Sequence, residues 1–228
     1  MGLFKKGSIC FLVSFSVLFS SPVNIPRIIE LSKYRTNHLG YTGFNNAPEI
    51  GVYLADLAKN NNVKIAFETG SWQCVTTDFL AHHFDQVFTV DILEDSYQKA
   101  QILSKRHPNV TGFFGSSEKI FQTILPKLQG SRVLFYLDAH WDTYWPLLDE
   151  LEEISLTHKD NCIIVIDDFK VPGRPDVPYD SYHGDDCSFE YVQEALDKVY
   201  TEYVYFYLVP KNPICRAKFV ALPNQWVN

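Results

Sequence analysis

The sequence predicts an α/β protein with a doubly wound, mostly parallel sheet and a C-terminal antiparallel hairpin. From Val63 onwards, short apolar runs alternate with amphipathic segments, which is typical of parallel strands joined by right-handed crossovers. A strand at 63–68 enters a turn that contains Gly70 and continues into a helix. This is the opening unit of sheets that bind ligands at the carboxyl ends of their strands. The last two predicted strands are joined by too short a link for a crossover, which allows only an antiparallel pair.

Each predicted element has its own signal in the sequence. Predicted strands are apolar runs bounded by turns, and predicted helices carry apolar residues at helical spacing. The strands are expected at 63–68, 86–91, 110–115, 132–138, 162–167, 203–209 and 216–222. The helices are expected at about 73–83, 94–106, 116–128, 146–157 and 188–200, with a covering helix at 47–60 and a short candidate helix at 27–33.

The composition limits the classes of protein to consider. The chain has 228 residues, of which 46% are hydrophobic, so one domain with a substantial core and an appended segment is expected. The net charge of −7 and the lack of a basic stripe argue against binding of nucleic acid. The five cysteines are widely spaced and form no CxxC pair, which predicts neither a zinc knuckle nor a disulfide framework.

The first 21 residues have the pattern of a targeting segment. Lys5 and Lys6 precede the apolar run Ile9–Phe19, which is short for a membrane-spanning helix. A secretory signal peptide is the leading interpretation; a membrane-edge anchor, which would associate the chain with a membrane, and a misassigned start are the alternatives. The predicted organisation is therefore a signal-like or anchor segment at 1–21, an N-terminal covering segment at 22–62 and a catalytic-type domain at 63–228.

The turn after the first strand indicates the type of cofactor. Dinucleotide-binding turns carry three glycines, the second of which lets the backbone approach a pyrophosphate. Here Gly70 is followed by Trp72 and Val75 at the other two glycine positions, which argues against NAD or FAD. S-adenosylmethionine has no phosphate and needs only the first tight turn. Asp91 ends the second strand, 21 residues after Gly70, where an acid accepts hydrogen bonds from a ribose.

An ordered set of strand ends resembles those of the class I S-adenosylmethionine-dependent methyltransferases, which have a Rossmann-like fold. The matching residues are Glu68-Thr69-Gly70, Asp91, Gly115-Ser116 and Asp138, and with the terminal hairpin the resemblance covers about residues 47–222. The resemblance implies that the cofactor is held by Glu68, Thr69, Gly70, Ser71, Asp91, Ser116 and Asp138. The alternatives are structural: Asp91 caps a helix or merely ends a strand, Glu68 is a solvated acid, and Ser116 is an N-cap. The glycine-poor turn departs from the family pattern.

Three acids follow two strands that are neighbours in this fold. Asp138 follows the fourth strand, and Asp167 and Asp168 follow the fifth, so the three carboxylates are expected in one small volume. Carboxylates that close repel each other unless they are protonated or bound to a cation, and oxygen ligands suit Mg²⁺ or Ca²⁺ rather than Zn²⁺. The resemblance to catechol and sugar O-methyltransferases implies Mg²⁺. In the alternative, Asp167 and Asp168 cap a loop and Asp138 contacts only the cofactor.

The segment Asp138-Ala139-His140-Trp141 is similar to the D-H-W of catechol O-methyltransferases, with one extra residue. The lysine base of those enzymes is absent, since Asp142 occupies its position. His140 is the predicted substitute, because imidazole titrates near neutral pH and suits proton removal from a hydroxyl. A structural role for His140 is the alternative. The long loop 170–187 is expected to form a lid with Tyr179, Tyr182 and His183, or else a mobile surface loop.

The leading hypothesis is a metal-assisted O-methyltransferase that acts on a small hydroxylated substrate, a sugar or a phenol. One rival is a non-catalytic methyltransferase-like binding module of the cell envelope, which the export-like N-terminus and the missing glycines favour. A second rival is a metal-dependent hydrolase, which leaves Glu68 and Asp91 unexplained. Two features indicate different locations in the cell. The N-terminus favours export or membrane anchoring, whereas the supply of S-adenosylmethionine favours the cytoplasm. The sequence does not indicate an oligomeric state.

Overall fold

The structure is a computed structural model that describes residues 27–31, 43–141 and 143–227. The predicted targeting segment at 1–21, Cys10 and Asp142 lie outside the described residues. No helix of the described ranges is both long and apolar enough to cross a membrane. The four cysteines in those ranges, Cys74, Cys162, Cys187 and Cys215, are free thiols.

The architecture is a three-layer α/β/α sandwich around one large sheet. The strands are β1 (Arg27–Glu30), β2 (Ile65–Thr69), β3 (Gln86–Asp91), β4 (Val110–Phe114), β5 (Val133–Leu137), β6 (Cys162–Ile166), β7 (Ser181–Tyr182), β8 (Asp185–Asp186), β9 (Tyr203–Val209) and β10 (Lys218–Pro223). The large sheet has the order β1-β9-β10-β6-β5-β2-β3-β4, whereas β7 and β8 form a separate antiparallel pair.

Within the large sheet, β10 runs antiparallel to its neighbours β6 and β9, and the other paired strands are parallel. The predicted doubly wound sheet with a C-terminal antiparallel hairpin is thus confirmed. The chain moves outward from β2 through β3 to β4 and then returns to β5 on the other side of β2. The carboxyl ends of β2 and β5 are therefore the point at which the strand order reverses, where sheets of this type bind ligands.

Seven helices accompany the described part of the chain: α1 (Gly43–Asn46), α2 (Pro48–Asn60), α3 (Val75–His83), α4 (Glu94–Arg106), α5 (Ser117–Ile124), α6 (Leu147–Thr157) and α7 (Phe189–Val199). The first is a single turn in which Phe44 and Asn45 have left-handed dihedral angles. Buried residues of α1 to α4 pack on one face of the sheet, and buried residues of α5, α6 and α7 pack on the other.

The two cores follow from the alternation of side chains along the central strands. In β5, Phe135 belongs to the core under α5 to α7, and its neighbour Tyr136 belongs to the core under α1 to α4. The same alternation separates Ile164 from Val165 in β6. Both strands are completely buried, as expected for central strands of a parallel sheet that is covered on both faces.

The clearest departure from the sequence prediction is at the N-terminal side. The candidate helix at 27–33 is wrong, because Arg27–Glu30 forms the edge strand β1, which pairs with β9 in parallel. A short run such as Ile28-Ile29 fits a strand or a helix equally well by pattern, and β-branched residues favour the strand when a sheet edge is available. The predicted helix at 116–128 also divides, and its last turn, Leu125–Leu128, is a 3₁₀ helix that contains Pro126.

Candidate active site

A cavity of about 480 Å³ opens at the carboxyl edge of the large sheet. Five neighbouring strand ends contribute to its wall: Gly70 after β2, Asp91 at the end of β3, Gly115 after β4, Asp138 after β5 and Asp168 after β6. Its volume is within the range that small-molecule sites usually have, roughly 300–1,000 Å³. The cavity therefore lies where the strand order predicts a ligand, and it joins the predicted cofactor turn to the acidic cluster.

Gly70 allows the ends of β2 and β5 to come together at the floor of this cavity. Its N–H donates to the carbonyl of Val90 at 2.9 Å, and its φ is +79°. A Cβ atom at this position would lie 2.6 Å from the carbonyl oxygen of Asp138, which is closer than any real side chain approaches backbone. Glycine is required here both by the backbone angle and by the neighbouring strand.

Asp91 holds the turn that follows Gly70. Its carboxylate accepts hydrogen bonds from the N–H groups of Trp72 and Leu93, both at 2.8 Å, and from the Ser71 hydroxyl at 3.4 Å. A carboxylate has about four acceptor positions, so one remains for a ligand, and Asp91 lines the cavity. The Trp72 side chain is 69% exposed and stands at the rim, so it does not fill the cavity.

The other predicted cofactor residues lie behind the cavity wall. Glu68 is buried, and its Oε2 accepts from the hydroxyls of Thr77 at 2.5 Å and Thr89 at 2.7 Å. Burial raises the pKa of Glu68 to about 7, although these two hydrogen bonds oppose the rise. The Thr69 carbonyl accepts from the Asp138 N–H at 3.2 Å. These contacts give Glu68 and Thr69 a supporting position, and their contact with a cofactor stays a prediction.

Ser71 and Ser116 are placed in the same way. Ser71 is 5% exposed and reaches the cavity only through its hydrogen bond to Asp91. Ser116 occupies the N-cap position of α5 without capping it, and its hydroxyl contacts Glu118 instead. The next residue, Ser117, is the one that lines the cavity.

The three predicted acids do come together. Carboxylate oxygens of Asp138, Asp167 and Asp168 lie within 4.8 Å of one another. The cause is the pairing of β5 with β6, in which Leu137 lies opposite Ile166, so the residues that follow both strands are neighbours. Burial, followed by the charges of Asp167 and Asp168, raises the pKa of Asp138 well above its ordinary value.

Two basic residues of the terminal hairpin reach the same cluster. Phe219 lies opposite Ile166 in the antiparallel pair of β10 and β6, which places Lys218 beside Asp167. Lys218 is fully buried and forms an ion pair with Asp167, while its Nζ lies 3.6 Å from Asp168. Burial opposes the ionisation of Asp167, but the ammonium group of Lys218 outweighs it and lowers the pKa of Asp167. Arg216 forms ion pairs with Asp168 and, at 2.8 Å, with Asp180.

The protein itself already supplies partners to the oxygens that a metal would need. The Asp167 carboxylate contacts Lys218 and accepts from the Tyr136 hydroxyl at 2.5 Å. The Asp168 carboxylate contacts Arg216 and accepts from the Asn45 side chain at 2.9 Å. The cluster has the separation that suits a cation, but in this arrangement its residues do not fit a resident divalent ion. The prediction of magnesium is therefore not confirmed.

His140 lies at the exposed rim of the cavity and is oriented by a row of aromatic rings. Its ring stacks on Tyr182 of β7 with centroids 4.8 Å apart, Tyr182 contacts Trp145 at 5.0 Å, and Trp145 stacks on Tyr191 of α7 at 4.4 Å. The Tyr182 hydroxyl donates to Asp180 at 2.7 Å. Burial and this hydrogen bond raise the pKa of Tyr182, which keeps the phenol neutral.

The predicted lid is therefore an ordered part of the wall. Asp180 lines the cavity, and Val171 and Val177 of the same loop are buried in the core. Tyr179 and His183, also predicted for the lid, are not among the residues that line this cavity.

Sequence reasoning missed four residues of the site: Asn45, Asp180, Arg216 and Lys218. Asn45 comes from α1, a turn that pattern does not predict, and Asp180 is one of several acids in a long loop. A signal did exist for Arg216 and Lys218, since two basic residues precede the apolar run Phe219–Leu222. Their meaning depends on which strand β10 pairs with, and the sequence does not show this.

We predict that Gly70→Ala is more damaging than Gly173→Ala, although both glycines have similar positive φ angles of +79° and +74°. A Cβ at Gly173 meets no atom within 4 Å, so that variant measures the backbone strain alone, about 1 kcal/mol. Gly70→Ala adds the collision with Asp138, and we expect a further loss of at least ~1–3 kcal/mol in the free energy of unfolding. Urea titrations of both variants measure the difference, and equal losses would contradict it.

We also predict a pH-dependent effect of Glu68→Gln. The folded pKa of about 7 lies above the unfolded value of about 4.3, so the folded wild type binds more protons between these values and loses stability as pH rises. Glutamine does not ionise. The free energy of unfolding of Glu68→Gln relative to wild type should increase by roughly 2 to 3 kcal/mol from pH 5 to pH 8. Glu202→Gln, at an exposed position, is the control, and a pH-independent difference for Glu68→Gln would refute the prediction.

Comparison with known proteins extends the description of the fold. No protein-family model and no curated protein matches the sequence. The structure is similar to that of an O-methyltransferase from Bacillus cereus in complex with SAH, with a TM-score of 0.56 and 15% identity over 83% of this chain and 84% of that one. It is also similar to the tomaymycin-synthesis O-methyltransferase of Streptomyces achromogenes in complex with SAM, with a TM-score of 0.53 and 15% identity over 76% of this chain and 78% of that one.

At this level of identity the likeness concerns the fold. Together with the order and direction of the strands, it shows that the chain has the class I fold of S-adenosylmethionine-dependent methyltransferases.

Proposed function

We propose that the protein is an S-adenosylmethionine-dependent methyltransferase that transfers the methyl group to a hydroxyl of a small molecule, a sugar or a phenol. One observation carries the proposal: the cavity at the reversal of strand order is lined both by Gly70 and Asp91, which suit a nucleoside, and by His140, a candidate proton acceptor. The structural neighbours that were solved with SAH and SAM support the same cofactor.

The side of the cavity at the ends of β2 and β3, where Gly70 and Asp91 lie, suits a nucleoside without a pyrophosphate. Asp91 has an acceptor position left for a ribose hydroxyl, and its carboxylate would repel a phosphate group nearby. Ile92 and Leu93 add apolar wall next to it, against which a flat base can pack. This side therefore favours S-adenosylmethionine over a dinucleotide.

The side of the cavity at the ends of β5 and β6 suits an uncharged methyl-acceptor molecule whose hydroxyl groups donate hydrogen bonds. Asp138, Asp168 and Asp180 line it together with Arg216, so acidic groups outnumber basic ones in the wall. Acidic groups accept hydrogen bonds from hydroxyls and repel anionic acceptors. The cavity must hold both cofactor and acceptor in about 480 Å³, which favours a small acceptor.

The proposed transfer needs a proton acceptor and close positioning. The acceptor oxygen attacks the methyl carbon in line, the carbon–sulfur bond breaks, and its electron pair stays on sulfur to give S-adenosylhomocysteine. His140 takes the hydroxyl proton, and the ring row through Tyr182 holds the imidazole in place. Tyr182 is a poor alternative base because its hydroxyl already donates to Asp180. Positioning and removal of water supply the rest of the rate.

Magnesium assistance, which the sequence predicts from the closeness of the three acids, is not part of this proposal, because Lys218 and Arg216 already pair with two of them. A small-molecule substrate agrees with the size of the cavity, and the net charge of −7 disfavours nucleic acid. Membrane association through residues 1–21 concerns residues outside the described part of the chain.

Calorimetry with S-adenosylhomocysteine tests the cofactor. We expect wild type to bind, and Asp91→Ala to bind at least tenfold more weakly, because a ribose hydrogen bond to a charged group is lost, about 1.5–3 kcal/mol. Asp85→Ala removes an exposed acid that pairs with Lys64, away from the cavity, and should bind like wild type. Absence of binding at about 1 mM, far above usual enzyme affinities, would exclude the proposal. Binding without turnover would instead indicate the non-catalytic module.

His140→Gln tests the proton acceptor. With a phenol or sugar that wild type methylates, we expect kcat to fall by about 10²-fold or more, since general base catalysis usually contributes this much. Affinity for S-adenosylhomocysteine should stay within about twofold, because the proposed ribose contact is made by Asp91 and not by His140. His183→Gln, which changes an exposed histidine of the loop 170–187, is the matched control. Undiminished kcat in His140→Gln would show that another group takes the proton.

A further inference from the structure

We propose that Lys218, together with Arg216, takes the place of a divalent cation in the acidic cluster and keeps metal out of the site. The inference concerns the charge of the cluster and goes beyond the proposed transfer reaction. We therefore expect the cluster to keep its arrangement without a metal ion. We also expect a cation-binding site to appear when an uncharged residue replaces Lys218.

Lys218 lies beside the position of a divalent ion that would use the three acids. It is fully buried in β10, which enters the sheet between β6 and β9, and its ammonium group contacts Asp167 and lies 3.6 Å from Asp168. A divalent ion that used all three acids would sit next to this group. Two charges at about 4 Å interact strongly inside a protein, so the ion and the ammonium group compete for the same carboxylates.

The carboxylates of Asp167 and Asp168 also accept hydrogen bonds from neutral side chains. Tyr136 donates to Asp167 at 2.5 Å, and Asn45 donates to Asp168 at 2.9 Å. Arg216 pairs with Asp168 from the cavity side. In the described part of the chain, Asp138 is the one member of the trio whose carboxylate has no side-chain donor, and a single carboxylate is a weak site for Mg²⁺ or Mn²⁺.

The backbone is strained at both ends of the ion pair between Arg216 and Asp168. Arg216 has φ 61° and ψ 153°, a region that is almost restricted to glycine, and Asp168 has φ 52°. Strained angles persist only where surrounding contacts enforce them, and they cluster at functional sites. The ion pair between Arg216 and Asp168 is therefore an integral part of the site and not an incidental surface contact.

Binding of Mn²⁺ observed by electron paramagnetic resonance tests the inference directly. We expect wild type to show no cluster-bound Mn²⁺ up to about 1 mM, the weak end of protein cation sites. We expect Lys218→Met to bind Mn²⁺ about 100-fold more tightly than wild type, because removal of a unit charge at about 4 Å is worth that factor or more. Mg²⁺ should raise the Tm of Lys218→Met and leave that of wild type unchanged.

Two controls assign the signal. Lys170→Met removes a partly exposed lysine that pairs with Asp186 at 2.7 Å, so it changes the net charge equally outside the cluster and should gain no Mn²⁺. Signal that Asp138→Asn abolishes belongs to the cluster. Signal that persists belongs elsewhere, for example to the surface group of Asp78, His82 and His107. If Lys218→Met does not fold, Arg216→Gln is used in its place. Loss of the half-buried guanidinium group also frees an oxygen of Asp168, so this variant should gain Mn²⁺ as well.

Cluster-bound Mn²⁺ in wild type would overturn the inference, and so would an absence of Mn²⁺ in a folded Lys218→Met. If the protein transfers methyl groups, the same reasoning, which then rests on the proposed function, expects turnover that EDTA does not change. Failure to bind S-adenosylhomocysteine would refute the proposed function alone, because the metal measurements need no cofactor.

Discussion

The close approach of β2 and β5 beyond their last paired residues is the constraint on which the site depends. Gly70 leaves room for the carbonyl of Asp138, and the Asp138 N–H returns a hydrogen bond to Thr69 at 3.2 Å. This contact fixes the floor of the cavity and sets the directions in which the chain leaves both strands. On one side it leads through Trp72 to the Asp91 carboxylate, and on the other it leads to His140. The same few atoms thus orient both ends of the cavity.

The acidic cluster is stable only because its charges are balanced nearby. Burial of carboxylates is costly unless they are paired and their remaining lone pairs accept hydrogen bonds. Lys218, Arg216, Tyr136 and Asn45 together provide such partners. Such networks seldom add much stability compared with apolar packing. The network of this protein is better explained by its effect on Asp168, which it holds in the cavity wall.

The sequence was sufficient where local pattern determines structure, and insufficient where strand pairing does. The bounds of β3, α4 and β9 agree with prediction to the residue, since turns delimit the apolar runs of the two strands and the mostly polar, amphipathic segment of the helix. The meeting of Asp138 with Asp167 was also predictable, because adjacent parallel strands end at one edge. Glu68 shows the limit, since the alternation along β2 directs its side chain towards Thr77 of α3. Lys218 acquires its role only from the register of β10 against β6.

The balance of charge also bears on the proposed reaction. The sulfonium of S-adenosylmethionine is positive, and this charge is lost from sulfur as the methyl group moves to the acceptor. Three unbalanced carboxylates at the cavity would therefore stabilise the bound cofactor more than the transition state, which lowers the rate. Lys218 and Arg216 remove most of this excess, while Asp138, whose pKa is raised by burial, contributes little negative charge when protonated. In the proposed reaction, a buried lysine would thus balance the charge of the acidic cluster beside a cationic donor, as a divalent cation could also do.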